Sequence, residues 1–210
     1  MAESTTTSAP SRRQTNKSRT KRELQQAALK LFAKQGYDET TTEEIAEQAH
    51  VSPRTFFRYF STKESVLFVG EEGWVERLTS TFLSQPAALS DIEALTAALV
   101  ALASGFTESR KSQLLYEKAV RTSATLRGRV HEHQLHDISM LAAAIATRRK
   151  LSEVDESCIL AASIALITHR RALDRWLAGP ASADPCAAIR YHFDLLGDLL
   201  EPKRTASRRR

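Results

Sequence analysis

Three observations predict an all-α fold: apolar residues recur at three- and four-residue spacing along most of the chain, no segment alternates apolar and polar as a strand would, and only 7 Gly and 6 Pro punctuate 210 residues. Helix-start signals crowd together before residue 68 and thin out behind it. The first group predicts a small N-terminal module of three helices, and the second a C-terminal bundle of longer ones. Composition sets the boundaries: a basic arm over residues 1–16, the helical module over 17–68, a helical domain over 69–202 and a basic tail over 203–210.

Residues 1–16 are rich in Ser, Thr and Arg and lack the apolar content to order themselves, which predicts a mobile arm. From about Arg19 the pattern changes. Leu24, Ala27, Ala28, Leu31 and Phe32 fall on one helical face, and Gly36 supplies the left-handed residue that ends such a helix. Thr41 with Glu44 then forms a capping box and predicts a short second helix over about 42–49. After the break at His50-Val51, Ser52-Pro53 places a preferred cap before a proline whose missing N–H costs nothing at the first helical position. The third helix therefore runs to Tyr59 or Phe60. Ser61 with Glu64 reads as another capping box, opening a fourth helix that reaches about Leu83, before Pro86.

Behind this, Ser90 and Glu93 cap a helix carrying Ile92, Leu95, Leu99, Leu102 and Phe106 on one side, ending near Gly105 and Ser109. Helices over about 111–126 and 129–149 follow, with Leu114, Leu115, Ile138, Leu141 and Ile145 inside. Ser152 with Asp155 opens a long helix that runs to Leu177 and stops at Gly179-Pro180. Asp184-Pro185 opens the last, with Ile189, Phe193, Leu196 and Leu200 on a single stripe. Ala161, Ala162, Ser163 and Ala165 let helices approach closely, and by pattern alone this suits an internal core as well as a pairing surface.

Charge narrows the classes of partner. The net charge is +5, yet residues 1–22 hold 6 Lys/Arg against Glu3 alone and residues 203–210 hold 5, whereas residues 23–200 carry 19 basic and 23 acidic side chains. The surplus sits in the tails, where it favours polyanions such as nucleic acid; acidic membrane surfaces attract it by the same physics, and a solvated tail with no role fits equally. No apolar run is long enough to span a membrane, nor does one follow the N-terminal charges as in a secretion signal. Two cysteines, Cys158 and Cys186, are too few for a disulfide framework or a four-ligand zinc site, and a reducing cytoplasm is the expected setting.

Two short helices joined by a tight turn and held on a longer first helix match a helix-turn-helix. At about 100° per residue, Phe56 and Phe60 point one way, toward Ile45 and Ala49, while Arg54, Thr55 and Arg58 share the opposite face. That second face suits a DNA major groove. Arginine donates bidentately to guanine O6 and N7, and the Thr55 methyl or hydroxyl can meet a base edge. Phe57 and Tyr59 flank it, where a tyrosine hydroxyl can bond a phosphate oxygen. Lys63 and the start of the fourth helix offer a second phosphate seat, and Thr41 and Thr42 do so across the groove.

The stretch from Thr20 to Phe68, above all AALKLFAKQGYDETTTEEIAEQAHVS, PRTFFRYF and STKESVL, resembles the DNA-binding region of the tetracycline-repressor (TetR) family of bacterial regulators. The resemblance covers about a quarter of the chain and rests on a long ordered pattern rather than one short motif. It implies that Arg54, Thr55 and Arg58 face bases, that Phe57, Tyr59 and Lys63 meet the backbone, and that Thr42 caps a phosphate-contacting helix. Phe57 departs from the family, where tyrosine is common, so only apolar contact is left there. The resemblance also implies a C-terminal bundle for effector binding and dimerisation. The homodimer would pair through helices at about 153–178 and 185–200, placing two reading heads on successive major grooves of a palindromic double-stranded DNA operator. A small-molecule effector would bind among Trp74, Phe106, Tyr116, Arg121, His133, Met140, His169 and Trp176.

No metal and no cofactor is expected: His131, His133 and His136 read as solvated, since only pairs such as His133 and Asp137 face together on one helix. No nucleophile elbow, phosphate loop, dinucleotide fingerprint or metalloprotease motif occurs, which speaks against an enzyme. The sequence thus predicts a DNA-binding transcriptional regulator, a repressor released from its operator by an effector. The alternative is a dimeric DNA-binding protein of the same fold with no effector.

Overall fold

A computed structural model describes residues 12–69, 73–103 and 106–200, with side chains placed from 16 onward and, after the second gap, from 109. The expected mobile arm lies largely outside the described residues and the basic tail wholly so. Helices α1 (Arg12–Gln35), α2 (Thr42–Gln48) and α3 (Pro53–Tyr59) are followed by a short 3-10 helix, Glu64–Phe68. Then come α4 (Trp74–Leu83), α5 (Asp91–Ala103), α6 (Phe106–Thr122), α7 (Ala124–Arg149), α8 (Glu156–Ala178) and α9 (Pro185–Leu200). The described residues contain no strand, and the fold is all-α with an N-terminal helix-turn-helix and a C-terminal helical region.

The chain divides into two compact units. The first, the head, joins the described part of Met1–Glu72 to Leu115–Arg129, and the second takes Gly73–Leu114 with the residues from Val130 on. In the head, Leu24, Ala28, Leu29 and Phe32 of α1 close over Ile45 and Ala46 of α2, Phe56 of α3, then Phe60, Val66 and Leu67. Ala119 and Leu126 complete that core, with Leu115, Tyr116 and Val120 packed against it. Each of the larger side chains there (Leu, Ile, Val and Phe) contributes about 1.5 to 3 kcal/mol by leaving water.

The second unit is built around Leu78 and Phe82 of α4, Leu95 and Leu99 of α5, Leu141 and Ile145 of α7, Ala162 and Ala165 of α8, and Ile189 and Phe193 of α9. The small residues of α8 let α9 lie against it, the most extensive helix pairing among the described residues. Two arginines tie off loose ends within this unit. Arg110 donates to the carbonyls of Trp176, Leu177 and Gly179 at 2.7–3.0 Å and closes the C-terminus of α8. Arg148 does the same for the carbonyls of Gln85, Pro86 and Leu89.

Several expectations need correction. The first helix begins at Arg12 rather than near Arg19, because the residues after Pro10 include no further breaker and good helix formers extend the coil beyond its apolar stripe. The expected fourth helix from Ser61 to Leu83 is two pieces: Ser61 does not cap the 3-10 helix, and Gly73 in the left-handed region (φ +74°) separates it from α4. The break between α6 and α7 falls at Ser123, whose hydroxyl accepts the Leu126 N–H at 3.3 Å, not near Gly128. Asp155, not Ser152, caps α8. Leu114, expected inside, is 44% exposed, while Leu115 turns into the head core. Among the described residues no helix is long and apolar enough to cross a membrane.

Candidate nucleic-acid interface

The tight turn between α2 and α3 is made by His50 in the left-handed region (φ 56°), followed by a Val51 N–H donated back to the Ala46 carbonyl at 2.9 Å. Ser52 then starts α3. Its hydroxyl accepts the Thr55 backbone N–H at 3.2 Å and lies 2.9 Å from the Thr55 hydroxyl, with Pro53 at the first helical position. Phe56 is fully buried and Phe60 nearly so, which fixes the rotation of this two-turn helix. Arg54 and Arg58 are exposed on the opposite side, and Thr55 is half-buried between them and the core.

Flanking this face, Phe57 is 52% exposed, its ring held edge-on against Phe56 at 5.3 Å. The Arg58 guanidinium lies over the Tyr59 ring at 5.0 Å and donates to its hydroxyl at 3.5 Å. At the start of α2 the expected capping box is present. The Thr41 oxygen accepts from Glu44 N–H at 3.1 Å, and the Glu44 carboxylate accepts the Thr41 N–H at 2.8 Å. That backbone bond, followed by one from Gln35, holds the Glu44 carboxyl below the usual range. The Thr42 hydroxyl donates to Glu43 at 3.0 Å.

Lys63 is placed differently from the other expected contacts. Its ammonium donates to the carbonyls of Tyr37 at 2.6 Å and Thr40 at 2.8 Å, and lies 4.0 Å from the Tyr37 ring centre. The next residue, Glu64, accepts from the Tyr37 hydroxyl at 3.0 Å and from Arg129 at 3.2 Å. Burial alone pushes the Glu64 carboxyl up, but bonds from its own N–H and from Tyr37, with the Arg129 charge, outweigh that and hold it low. Burial, then the bond to Glu64, pushes the Tyr37 phenol up to about 12. Sequence reasoning missed this group, because 65 residues separate Arg129 from Glu64 and nothing local links them. The adjacency of Lys63 and Glu64, both reaching toward the Gly36-Tyr37 turn, was its only sequence trace.

The expected effector residues divide between the two units. In the second, Trp74 stacks on buried His169 at 5.5 Å, and His133 lies 3.4 Å from the Asp137 carboxylate, whose other oxygen is buried without a hydrogen-bond partner. Met140 is half-buried, and Trp176 is buried with its indole N–H donated to the Ala183 carbonyl. The Phe106 side chain lies outside the described residues. Tyr116 packs on the head core and Arg121 is exposed. Among the described residues no group of three or more His, Cys, Asp or Glu could hold a metal ion.

Residues 24–68 match the family described as bacterial regulatory proteins, tetR family. Over 97 residues, 46% of this chain, the sequence is 38% identical to the HTH-type transcriptional regulator TcmR of Streptomyces glaucescens, and the match spans 43% of that relative. Similar solved structures include the Thermus thermophilus repressor FadR in complex with lauroyl-CoA, with a TM-score of 0.57, 22% identity, and coverage of 89% of this chain and 98% of that one. FadR from Bacillus subtilis in complex with stearoyl-CoA gives a TM-score of 0.60 at 19% identity over 83% of this chain and 96% of its own. At these identities the structural likeness is one of fold.

Proposed function

We propose that this chain, which belongs to the tetR family of bacterial regulatory proteins, is a homodimeric repressor that occupies a palindromic DNA operator and leaves it when a small molecule binds its C-terminal region. The family is one of DNA-binding regulators rather than enzymes. The observation that carries the reading is the two-sidedness of α3: Phe56 is buried behind it while Arg54 and Arg58 stand exposed in front.

In a major groove these arginines donate to guanine edges, and Thr55 meets a neighbouring base through its methyl, its hydroxyl being engaged with Ser52. Tyr59 accepts from Arg58 and keeps its own O–H for a phosphate oxygen. Phe57 contributes apolar contact, and Thr41 and Thr42 approach the backbone on the other side of the groove.

Dimerisation is supported by apolar side chains left exposed along the last two helices. Leu160 and Ile167 stand two turns apart on α8, and Tyr191, Leu195 and Leu199 one turn apart on α9. A two-fold dimer through this face presents two copies of α3 to a palindrome. Release by an effector is supported by the ligands named in the FadR complexes, whose fold this chain shares. An effector need only prefer the conformation with displaced heads by about 1 to 3 kcal/mol.

The test is selection of a duplex from a random pool, then sedimentation and operator release across a metabolite panel that includes lauroyl-CoA. A selected palindrome, a dimer and one releasing compound are expected. Sequence-specific binding that no compound weakens would replace this reading with an effector-free regulator of the same fold.

A further inference from the structure

We propose that Asp137 is the polar anchor of the effector site in the second unit, and that it takes an organic cation: an ammonium or guanidinium head on an apolar or aromatic body. The inference rests on the effector-released function proposed above and names the chemistry of its ligand.

Asp137 sits about three turns from either end of α7, so it caps no helix. It is only 9% exposed. Its Oδ2 lies 3.4 Å from His133 Nδ1, one turn earlier on the same helix, and its Oδ1 is buried with no hydrogen-bond partner among the described residues. The contact with His133 therefore ties no second element in place. Other charges drawn out of water are engaged by distant elements: Arg110 and Arg148 each hold three carbonyls, and Glu64 accepts from Tyr37 and Arg129. Burying a carboxylate is costly unless its oxygens find donors. No contact in the fold offsets that cost at Oδ1, which marks Asp137 as a group kept for a ligand.

The sign of that ligand follows from the surroundings. Burial pushes the Asp137 carboxyl up, against the pull of His133 and His136, and the charge of Glu76 adds to the push. Two carboxylates thus act on one place, and a cationic N–H donor answers both, since it bonds Oδ1 and offsets the charge. A phosphate or carboxylate head would be repelled, in contrast to the acyl-CoA ligands named for the FadR structures. Aromatic surface for the ligand body is at hand. Glu76 follows Trp74 in the first turn of α4, and the half-buried Trp74 ring, stacked on His169 of α8 at 5.5 Å, is of the kind that favours organic cations.

The experiment titrates the full chain and its Asp137→Asn variant, by calorimetry, with lauroyl-CoA and two matched series: naphthylethylamine, naphthylethanol and naphthylacetate, then decylamine, decanol and decanoate. In the wild type the amine of at least one series is expected to bind about ten- to a hundredfold more tightly than its alcohol, the carboxylate binding least. Asp137→Asn keeps the shape and removes the buried charge, so it is expected to abolish that preference while melting no lower than the wild type. An amine preference that survives the substitution overturns the inference, as do equal affinities for amine and alcohol, tighter binding of a carboxylate or of lauroyl-CoA, and no binding by either series. An Asp137→Asn chain that fails to fold, or melts far lower, assigns the carboxylate to structure and overturns it too. Operator release across the metabolite panel separates the two readings. Release only by compounds without a cationic head sinks the cation and leaves the proposed function standing, whereas release by none sinks the effector itself.

Discussion

The front of α3 and the outer faces of α8 and α9 are both exposed, yet their chemistry is opposite. On α3 two arginines stand forward over a fully buried Phe56. On α8, Leu160 and Ile167 stand forward over buried Ala162, Ala165 and His169. Exposed cations are hydrated and need no cover, so a cationic face is stable alone and waits for a polyanion. Apolar side chains as exposed as Ile167 (60%) and Leu199 (73%) lose free energy in water, and such a stripe calls for a second apolar face. On the function proposed above, the first face would be a recognition surface driven by charge and the second one driven by exclusion of water.

The comparison is broken most severely from behind α3. Phe56→Ala removes the side chain that sets the helix's rotation and is expected to cost about 3 to 5 kcal/mol, read by denaturant unfolding, with DNA binding lost alongside. Wild-type stability would show that Arg54 and Arg58 are oriented by something else.

Behind α8 the corresponding anchor is His169, which burial, and secondarily the charge of Arg170, pushes down to about 4 from 6.5. Between those values the unfolded chain binds a proton that the folded chain refuses, so stability falls as pH falls through that window, by about 3 kcal/mol in all. His169→Phe should flatten thermal unfolding profiles between about pH 6.5 and 4. A slope undiminished by the substitution would assign the acid sensitivity to other groups.

In front, Ile167→Asp tests the apolar surface. If that face pairs, the substitution weakens self-association by about 2 to 3 kcal/mol, visible as monomers in sedimentation at concentrations where the wild type is dimeric. An unchanged dimer would move the pairing surface elsewhere. The smallest expected effect is on the cationic face: Arg58→Ala should cost about 1 to 3 kcal/mol on a selected duplex and relax preference at one base position. Equal weakening on every sequence would make Arg58 a phosphate contact rather than a base reader.

The head was legible in the sequence to the extent that its signals are local. Thr41 with Glu44, and Ser52-Pro53, each specify a helix start within four residues, and the structure places α2 and α3 there. Ser90 with Glu93 and Asp184 with Pro185 worked the same way in the second unit. The Ser61 and Glu64 pair failed because a local cap competes with tertiary partners: Glu64 bonds Tyr37 and Arg129 instead. The carbonyl clamps made by Arg110 and Arg148 span about 60 residues or more and leave no periodic trace. The stacking of Trp74 on His169 was equally hidden, since 95 residues separate them and an aromatic at helical spacing reads as core whatever it touches.

The head draws Ala119 and Leu126 into its core from far along the chain. A fragment ending at residue 72 would therefore expose a patch of its own interior. On the ribosome, the same core stays open until the segment ending at Arg129 has emerged. The head is thus sealed well after most of it is made, yet still before the second unit, whose core waits for Ile189 and Phe193.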